Sequence, residues 1–386
     1  YFKLNAAPGA EGRQVDVKDW KKLDLPHDWS IEGDFQATNP SGATGGALPG
    51  GIAWYRKHFD VPSYDRNKHY FIDFDGVYMN ASVYLNGHLL GTRPYGFISY
   101  RYELTPYLKA KDNVMAVRVD NSEQPNCRWY SGSGIYRHVY LVTTNALHVA
   151  HWGTFVRATT DGKVCAEIKI DNQGSHSETV TVRNTVLNSA QKVVSTVLRK
   201  LTVNPNKPAV FKENMLVDKP ELWSIESPYR YVLRTEIVQG GRVLDRYDTP
   251  FGFRSFHFDA QTGFWLNGKN LKINGVCNHH DLGCLGAAVH RDAIYRQLRL
   301  LKDMGCNAIR CSHNPPAPEL LELCDSMGFI VMDESFDMWH RKKTKYDYSR
   351  YFDQWFERDL SDLVKRDRNH PSIMIWSIGN EVLEQW

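Results

Sequence analysis

Apolar and polar residues alternate in short runs along the first third of the chain. Large apolar side chains fall on every second position of residues 115–119, the period expected of a half-buried strand. Asn86-Gly87 lies between two apolar runs and predicts a two-residue hairpin turn. Because these runs come without amphipathic helices, we expect residues 1–145 to form an antiparallel β-sandwich.

A second series of alternating runs occupies residues 146–257. Residues 164–170 and 231–237 each place apolar or β-branched side chains on every second position. This stretch without a helical pattern is typical of an immunoglobulin-like β-sandwich. The Cys…Trp…Cys spacing of antibody domains is missing, so the pattern leaves the strand order open.

The period changes in residues 258–386, where strand-like and helix-like runs follow each other. We predict four strands at 271–276, 307–311, 329–333 and 373–378. The helices between them begin near Asp292, after the prolines at 315–318, and near Phe352. This βαβαβαβ order predicts a parallel sheet. Four strands form either a small open sheet or the first half of a TIM (β/α)8 barrel.

The composition narrows the class of protein. Lys+Arg 47 against Asp+Glu 44 gives a net charge of +3, which argues against a nucleic-acid partner. No apolar run approaches the roughly 18 residues that span a bilayer, so we expect no membrane insertion. Aromatic residues make up 12% of the chain, a content that suits both sugar stacking and sandwich cores.

The seven cysteines are odd in number and form no CxxC pair. We therefore expect no disulfide framework and mostly buried thiols. The residues after Tyr1 show no signal-peptide pattern. The sequence does not determine the cellular compartment, and a periplasmic or secreted location is favoured over a cytoplasmic one. It does not determine the oligomeric state either, and a homo-oligomer is one alternative.

Polar residues cluster at the carboxyl ends of the predicted parallel strands, where barrel enzymes hold their active sites. In strand order these residues are His279-His280-Asp281, His313-Asn314, Asp333-Glu334 with Asp337 and His340, and Asn380-Glu381. Structural roles are the alternative: hydrogen-bonded histidines, a loop cap at Asp333-Glu334 and a helix cap at Glu381. The apolar strand before Glu381 predicts a partly desolvated carboxyl, which suits a general acid.

A metal centre is a second interpretation of the same residues. The candidate zinc ligands are His279, His280, Asp281, His313 and His340. No HExxH-like pair at helical spacing supports them. A GxSxG elbow and the glycine patterns of nucleotide sites are missing in the required context, which disfavours serine hydrolases and NAD enzymes.

These blocks resemble the β-galactosidase/β-glucuronidase family, glycoside hydrolase family 2. The similarity is densest in residues 275–281, 307–315, 331–334, 366–372 and 376–381, and it extends to 25–29 and 129–137. The resemblance implies a jelly-roll sandwich, an immunoglobulin-like sandwich and a TIM barrel, in that order. The periodicity of the chain predicts the same layout independently.

The resemblance also implies roles for single residues. Glu381 corresponds to the acid/base glutamate of the family, and Asn380 to the asparagine that binds the sugar 2-hydroxyl. The other residues expected around the sugar are His279, His313, Asp281 and, contributed by the first sandwich, Asp120.

Three departures from the family pattern limit these expectations. Tyr78 replaces an asparagine that some β-galactosidases place in the pocket. Met338 and His340 replace a Glu-x-His magnesium pair, and methionine is a poor ligand for a hard cation. We therefore expect no metal and no other cofactor. The family's nucleophilic glutamate lies on a later strand, beyond Trp386, so we expect these 386 residues alone to be inactive.

The expected function is that of a retaining exo-β-glycosidase with a carbohydrate substrate. Terminal non-reducing β-D-galactosides are the preferred substrate, because the His-His-Asp-Leu-Gly and Asp-Glu-Ser-Phe-Asp blocks look most like galactosidases of the family. A β-glucuronidase is the near alternative. A non-catalytic carbohydrate-binding protein is the alternative from another class.

Overall fold

The computed structural model describes residues 1–7 and 9–384. Its first unit is a sandwich of two antiparallel sheets, with strand orders β1-β2-β7-β4-β5 and β6-β3-β8. The strands are β1 (Phe2–Leu4), β2 (Gly51–Phe59), β3 (Lys68–Phe74), β4 (Ala81–Leu85), β5 (His88–Arg93), β6 (Tyr100–Glu103), β7 (Asn113–Asn121) and β8 (Val139–Asn145).

Two local predictions for this sandwich are confirmed. Asn86 and Gly87 have φ of 52° and 87° and join β4 to β5 as a tight hairpin, with Leu85 opposite His88. Strand β7 buries its alternating apolar residues between the two sheets. Ala116, on the other face of β7, is buried as well, because the N-terminal segment around Trp20 covers that face.

The second sandwich packs a three-stranded sheet, β13-β10-β9, against a four-stranded one, β12-β11-β14-β15. The strands are β9 (Leu147–Ala158), β10 (Lys163–Asn172), β11 (Glu178–Leu187), β12 (Val193–Val203), β13 (Ala209–Leu216), β14 (Tyr231–Gln239) and β15 (Arg242–Phe251). The apolar positions of 164–170 and 231–237 face each other in its core, as their period predicts.

A small antiparallel sheet precedes the parallel one and corrects the first predicted parallel strand. Its strands are β16 (Phe256–Asp259), β17 (Gly263–Leu266) and β18 (Lys269–Leu271). Asn267-Gly268, with φ of 51° and 76°, closes the β17–β18 hairpin, so Leu271 belongs to β18. The prediction of a strand over 271–276 is therefore wrong, and the first parallel strand begins at Gly275.

The parallel sheet has the order β19-β20-β21-β22, the order of the chain. The strands are β19 (Gly275–Asn278), β20 (Ala308–Cys311), β21 (Ile330–Glu334) and β22 (Ile373–Ser377), and the helices are α1 (Arg291–Asp303), α2 (Pro318–Met327) and α3 (Phe352–Asp367). Gly328, at φ 74°, ends α2 in the left-handed conformation, as a helix-stop glycine does. Short 3-10 turns lie at Ser30–Glu32, Gly283–Leu285 and Tyr348–Arg350.

Buried polar contacts fix the first sandwich against the parallel-sheet unit. Asp28 accepts a hydrogen bond of 2.9 Å from the backbone of Ala287, and a side chain on Gly132 would collide with both residues. Arg93 donates to Asp359, and both side chains are almost fully buried. Because losing one partner of a buried ion pair costs about 3–5 kcal/mol, these contacts hold the two units in one orientation.

All seven cysteines are free thiols in the structure. Cys127, Cys311 and Cys324 are buried, whereas Cys277 and Cys284 are exposed. The expectation that most of the thiols are buried is therefore wrong, because the β19 strand and the loop after it are open to solvent. Among the described residues, none of the helices has the length and apolar character needed to cross a membrane.

Candidate active site

The carboxyl ends of the four parallel strands bring the predicted polar residues to one edge. His279 follows β19, His313 follows β20, Glu334 ends β21, and Asn380 and Glu381 follow β22. Parallel strands expose their carboxyl ends on the same side, so this clustering follows from the topology.

Glu334 lies at the centre of this edge and is fully buried. Its carboxylate accepts hydrogen bonds from Arg310 Nε at 2.9 Å, from His313 Nδ1 at 2.7 Å and from Ser377 Oγ at 2.8 Å. Burial alone would raise the pKa of Glu334, but these donors together lower it below its ordinary value. Glu334 is therefore an anion whose lone pairs are occupied by protein donors.

Asn380 is held on three sides. Its Oδ1 accepts from Arg310 Nη2 at 2.8 Å, its Nδ2 donates to Asp337 Oδ1 at 2.8 Å, and its backbone N–H donates to the Phe336 carbonyl at 3.0 Å. The side chain is buried, and the two polar contacts decide which end of the amide is oxygen. The asparagine is thus fixed before any ligand binds.

Asp337 neutralises the cations of the same site. It accepts from Arg128 Nε at 2.8 Å, from Lys343 Nζ at 3.1 Å and from Asn380. Burial opposes ionisation, but these hydrogen bonds lower the pKa of Asp337 below its ordinary value. We call Arg310, Glu334, Asp337 and Asn380 the inner network.

Glu381 lies outside the inner network. Its side chain is 71% exposed, and its only polar partner among the described residues is Arg128, whose Nη2 lies 3.3 Å from Oε2. The predicted desolvation of Glu381 is therefore wrong. The physical reason is that β22 ends at Ser377, so the apolar strand does not enclose a carboxyl four residues further on.

The two histidines of the edge pack against an aromatic residue from the first sandwich. Trp129 stacks on His279 with ring centroids 5.2 Å apart, and it meets His313 edge-on at 5.5 Å. His279 Nδ1 donates to the Ser312 carbonyl at 2.9 Å. Burial lowers the pKa of His279, so its ring is neutral at pH 7.

The remaining predicted residues lie around this centre. His280 donates from Nε2 to the Ser131 carbonyl at 3.2 Å, and burial lowers its pKa to about 3. Asp281 is half-buried beside His279 and favours the charged form of that ring. Asp333 turns toward Asp367, and burial with that second carboxyl raises its pKa well above the ordinary value.

Asp120 is not joined to the inner network. Its carboxylate accepts from Arg118 at 2.9 Å and from Ser122 Oγ at 2.6 Å. No hydrogen bond links it to Glu381 or Asn380 within the described part of the chain. A direct role for Asp120 in the pocket stays a prediction.

The candidate zinc ligands do not converge among the described residues of the edge. His340 pairs with Asp353 at 2.9 Å, and Met338 is buried and offers only a thioether. In residues 1–7 and 9–384, the edge histidines do not form a group of three convergent ligands. Tyr78, where an asparagine was expected, donates to Asn126 inside the sandwich at 2.9 Å.

Sequence reasoning missed the residues that connect the site. Arg128 comes from the first sandwich and Lys343 from the loop after β21, so no local pattern indicates their role. Trp129 lies in the block 129–137 that resembles the family, but it was given no role. Arg310 did leave a signal, because a charged residue inside the apolar strand β20 requires a buried partner. Asp337 and Glu334 were placed on the edge but given no role in binding.

Three family profiles match the chain in succession. "Glycosyl hydrolase 2 galactose-binding domain-like" matches residues 51–150, "Glycosyl hydrolases family 2" matches 148–254, and "Glycosyl hydrolases family 2, TIM barrel domain" matches 260–385. This succession confirms the predicted fold: a jelly-roll sandwich, an immunoglobulin-like sandwich and the first part of a TIM barrel.

Named relatives agree with the profiles. The β-galactosidase BoGH2A of Bacteroides ovatus is 57% identical over 373 residues, 95% of this chain and 44% of the relative. A putative β-glucuronidase of Formosa agariphila is 43% identical over 383 residues, 99% of this chain and 36% of the relative. The chain thus spans less than half the length of these two relatives.

Solved structures show the same arrangement of units. A family 2 glycosyl hydrolase from Bacteroides cellulosilyticus superposes with a TM-score of 0.96 at 39% identity, covering 99% of this chain and 51% of that one. A β-glycosidase from Bacteroides vulgatus gives a TM-score of 0.93 at 43% identity, covering 100% and 50%.

Proposed function

Because this chain belongs to glycoside hydrolase family 2, we propose that it forms the first part of a retaining exo-β-glycosidase acting on terminal non-reducing β-D-galactosides. The observation that carries the proposal is the Asn380-Glu381 pair: a buried asparagine held by Arg310 and Asp337, followed by an exposed carboxylate. A binding group and a reactive group stand next to each other at the edge where barrel enzymes act.

Glu381 is proposed as the general acid/base. Arg128 contacts only Oε2, and Oε1 has no hydrogen-bond partner among the described residues. A protonated Glu381 would donate its proton to the leaving glycosidic oxygen. The resulting carboxylate would then take a proton from the water that releases the sugar.

Asn380 is proposed to bind the sugar 2-hydroxyl. An asparagine amide has two N–H donors, and only one donates to Asp337. The second N–H has no acceptor among the described residues and can donate to a hydroxyl. Since the oxygen of Asn380 is fixed by Arg310, the donor end of the amide is the one offered to the substrate.

The nucleophile is proposed to come from the part of the protein that follows this chain. Retaining hydrolysis needs a second carboxylate about 5–5.5 Å from the acid/base. Glu334 and Asp337 are the buried carboxylates of the inner network, and both are saturated with donors. A carboxylate held in this way positions other groups and is a poor nucleophile.

A neutral sugar is favoured over a uronate by the cations of the site. Arg128 and Lys343 are already paired with Asp337, and Arg310 is paired with Glu334. None of these three cations is available for the carboxylate of a glucuronide without breaking an existing pair. The relative with 57% identity bears the name of a β-galactosidase, in agreement with this preference.

The test is hydrolysis of aryl β-galactoside, β-glucuronide, β-mannoside and β-glucoside by the 386-residue chain and by the longer gene product. We expect the longer protein to cleave the galactoside fastest and the short chain to be inactive. Faster cleavage of the glucuronide would show that the preferred substrate is a β-glucuronide and not a β-galactoside. Sugar binding by the longer protein without any cleavage would favour the non-catalytic alternative.

A further inference from the structure

A second cluster of titratable side chains lies between the first sandwich and helix α2. Asp75 follows β3, His138 precedes β8, and Glu319 is the second residue of α2. One ligand atom from each residue lies within 4.8 Å of the other two. The backbone N–H of Asp75 donates to the His138 carbonyl at 3.0 Å, so two of the three positions are fixed by the sandwich itself.

Glu319 brings an unsatisfied oxygen to this cluster. The residue is only 7% exposed, and its Oε2 is buried without a hydrogen-bond partner. Its Oε1 accepts from His138 Nδ1 at 2.6 Å. Since a buried carboxylate oxygen without a donor is costly, the vacant lone pairs of Oε2 point to a missing cation or donor.

The neighbouring arginines do not supply that donor. Arg137 donates to the carbonyls of Pro315 at 2.8 Å and Pro316 at 3.1 Å. Arg366 is paired with Asp367 through two hydrogen bonds of 2.7 Å. Both Nη groups of Arg137 and the guanidinium of Arg366 are thus directed to other acceptors, whereas Arg137 Nε is buried without a partner. The charges of both arginines also act on the cluster.

Charges of both signs act on Asp75 in this cluster. Burial and the carboxylate of Glu319 raise the pKa of Asp75 to about 6, against the opposing charges of Arg366, Arg137 and His138. Two carboxyl groups and one imidazole converge there, and such groups bind a divalent cation in their deprotonated forms.

We propose that Asp75, His138 and Glu319 bind a divalent transition-metal ion of the zinc class at the joint between the first sandwich and the barrel unit. One imidazole nitrogen and two carboxylate oxygens are ligands that zinc accepts, with water completing the tetrahedron. The three residues line a cavity of 770 Å³ bounded by both sandwiches, α2 and α3, through which an ion can enter.

The ion would join two units that share the active site. Asp75 and His138 belong to the sandwich that carries Arg128 and Trp129, and Glu319 belongs to the unit that carries the inner network. We infer a structural role: a bound ion raises the thermal midpoint of unfolding by fixing this joint, without touching substrate.

The test is zinc binding by metal-free protein, measured in competition with a chromogenic chelator. Wild type is compared with E319Q and D75N, and with E103Q as the matched control. Glu103 forms the exposed His69–Glu103 pair at 3.2 Å, the same residue types without convergence of a third ligand. All variants keep the exposed Cys277 and Cys284, so background binding to thiols is equal among them.

We expect wild type and E103Q to bind one equivalent of zinc, and E319Q and D75N to bind it roughly 10–100-fold more weakly. Zinc should raise the thermal midpoint of the first two proteins only. The proposal is overturned if wild type binds no more tightly than the two ligand variants. Far-ultraviolet circular dichroism identifies a misfolded variant, and the other ligand variant then decides the question.

Discussion

The inner network and Glu381 lie at the same edge of the parallel sheet but in opposite environments. Glu334 and Asp337 are buried and surrounded by donors, whereas Glu381 is 71% exposed with Arg128 as its partner. Saturated carboxylates set the positions of arginine and asparagine, and the open carboxylate remains able to exchange a proton.

Replacing Glu381 should have the largest effect on activity. In the longer gene product, E381Q should lower kcat/KM for an aryl β-galactoside by about 10²–10⁴-fold, the contribution usual for general acid/base catalysis. Because the side chain is exposed in the 386-residue chain, the free energy of unfolding of that chain should change by no more than about 0.5 kcal/mol in E381Q. Enzyme kinetics and urea unfolding check the two halves of this prediction.

Replacing Glu334 should lower the stability of the protein far more than replacing Glu381. E334Q removes a charge that pairs with Arg310 and His313, so we expect the free energy of unfolding to fall by about 3 kcal/mol. Urea unfolding of E334Q beside E381Q measures the difference. Equal free energies of unfolding for the two variants would show that the hydrogen bonds of Glu334 do not stabilise the fold.

Replacing Asp337 should give an intermediate result. D337N keeps the shape of the side chain but weakens its bonds to Arg128 and Lys343, so we expect a loss of about 1–3 kcal/mol. Misplacement of Asn380 should also lower kcat/KM about tenfold. Unchanged kcat/KM in D337N would mean that Asn380 holds its position without this carboxylate.

Lowering the pH should reduce the free energy of unfolding through Glu334 and Asp337, by less than the substitutions above. The folded-state pKa values of Glu334 and Asp337 lie below those of the unfolded chain, about 4.3 and 3.9. Their contribution to stability is therefore complete above about pH 5 and is lost as the pH falls through the folded-state values. Unfolding between pH 5 and 3 should show a shallower decline in E334Q than in wild type.

The sequence predicted the parts of this site that depend on local pattern. The period of two identified both sandwiches, and the strand ends of the parallel sheet placed His279, His313 and Asn380 on one edge. The hairpin closed by Asn267-Gly268 was missed because an apolar run extends past it, although Asn-Gly is a turn signal.

The other omissions come from tertiary structure. Arg128 and Asp337 are 209 residues apart in sequence, so no spacing rule connects them. The exposure of Glu381 depends on what packs around the end of β22, and the apolar character of the strand predicted the opposite environment. Long-range ion pairs and the burial of loop residues were the two features beyond the reach of sequence reasoning.

The most direct test of Glu381 as acid/base is the dependence of kcat/KM on the leaving group. A series of aryl β-galactosides with phenols of decreasing pKa is hydrolysed by the longer gene product and by its E381Q variant. We predict a shallow dependence for wild type and a steep one for E381Q, because good leaving groups need no proton. If log kcat/KM falls with the pKa of the phenol at the same slope in both proteins, the assignment is contradicted and the acid/base is another residue.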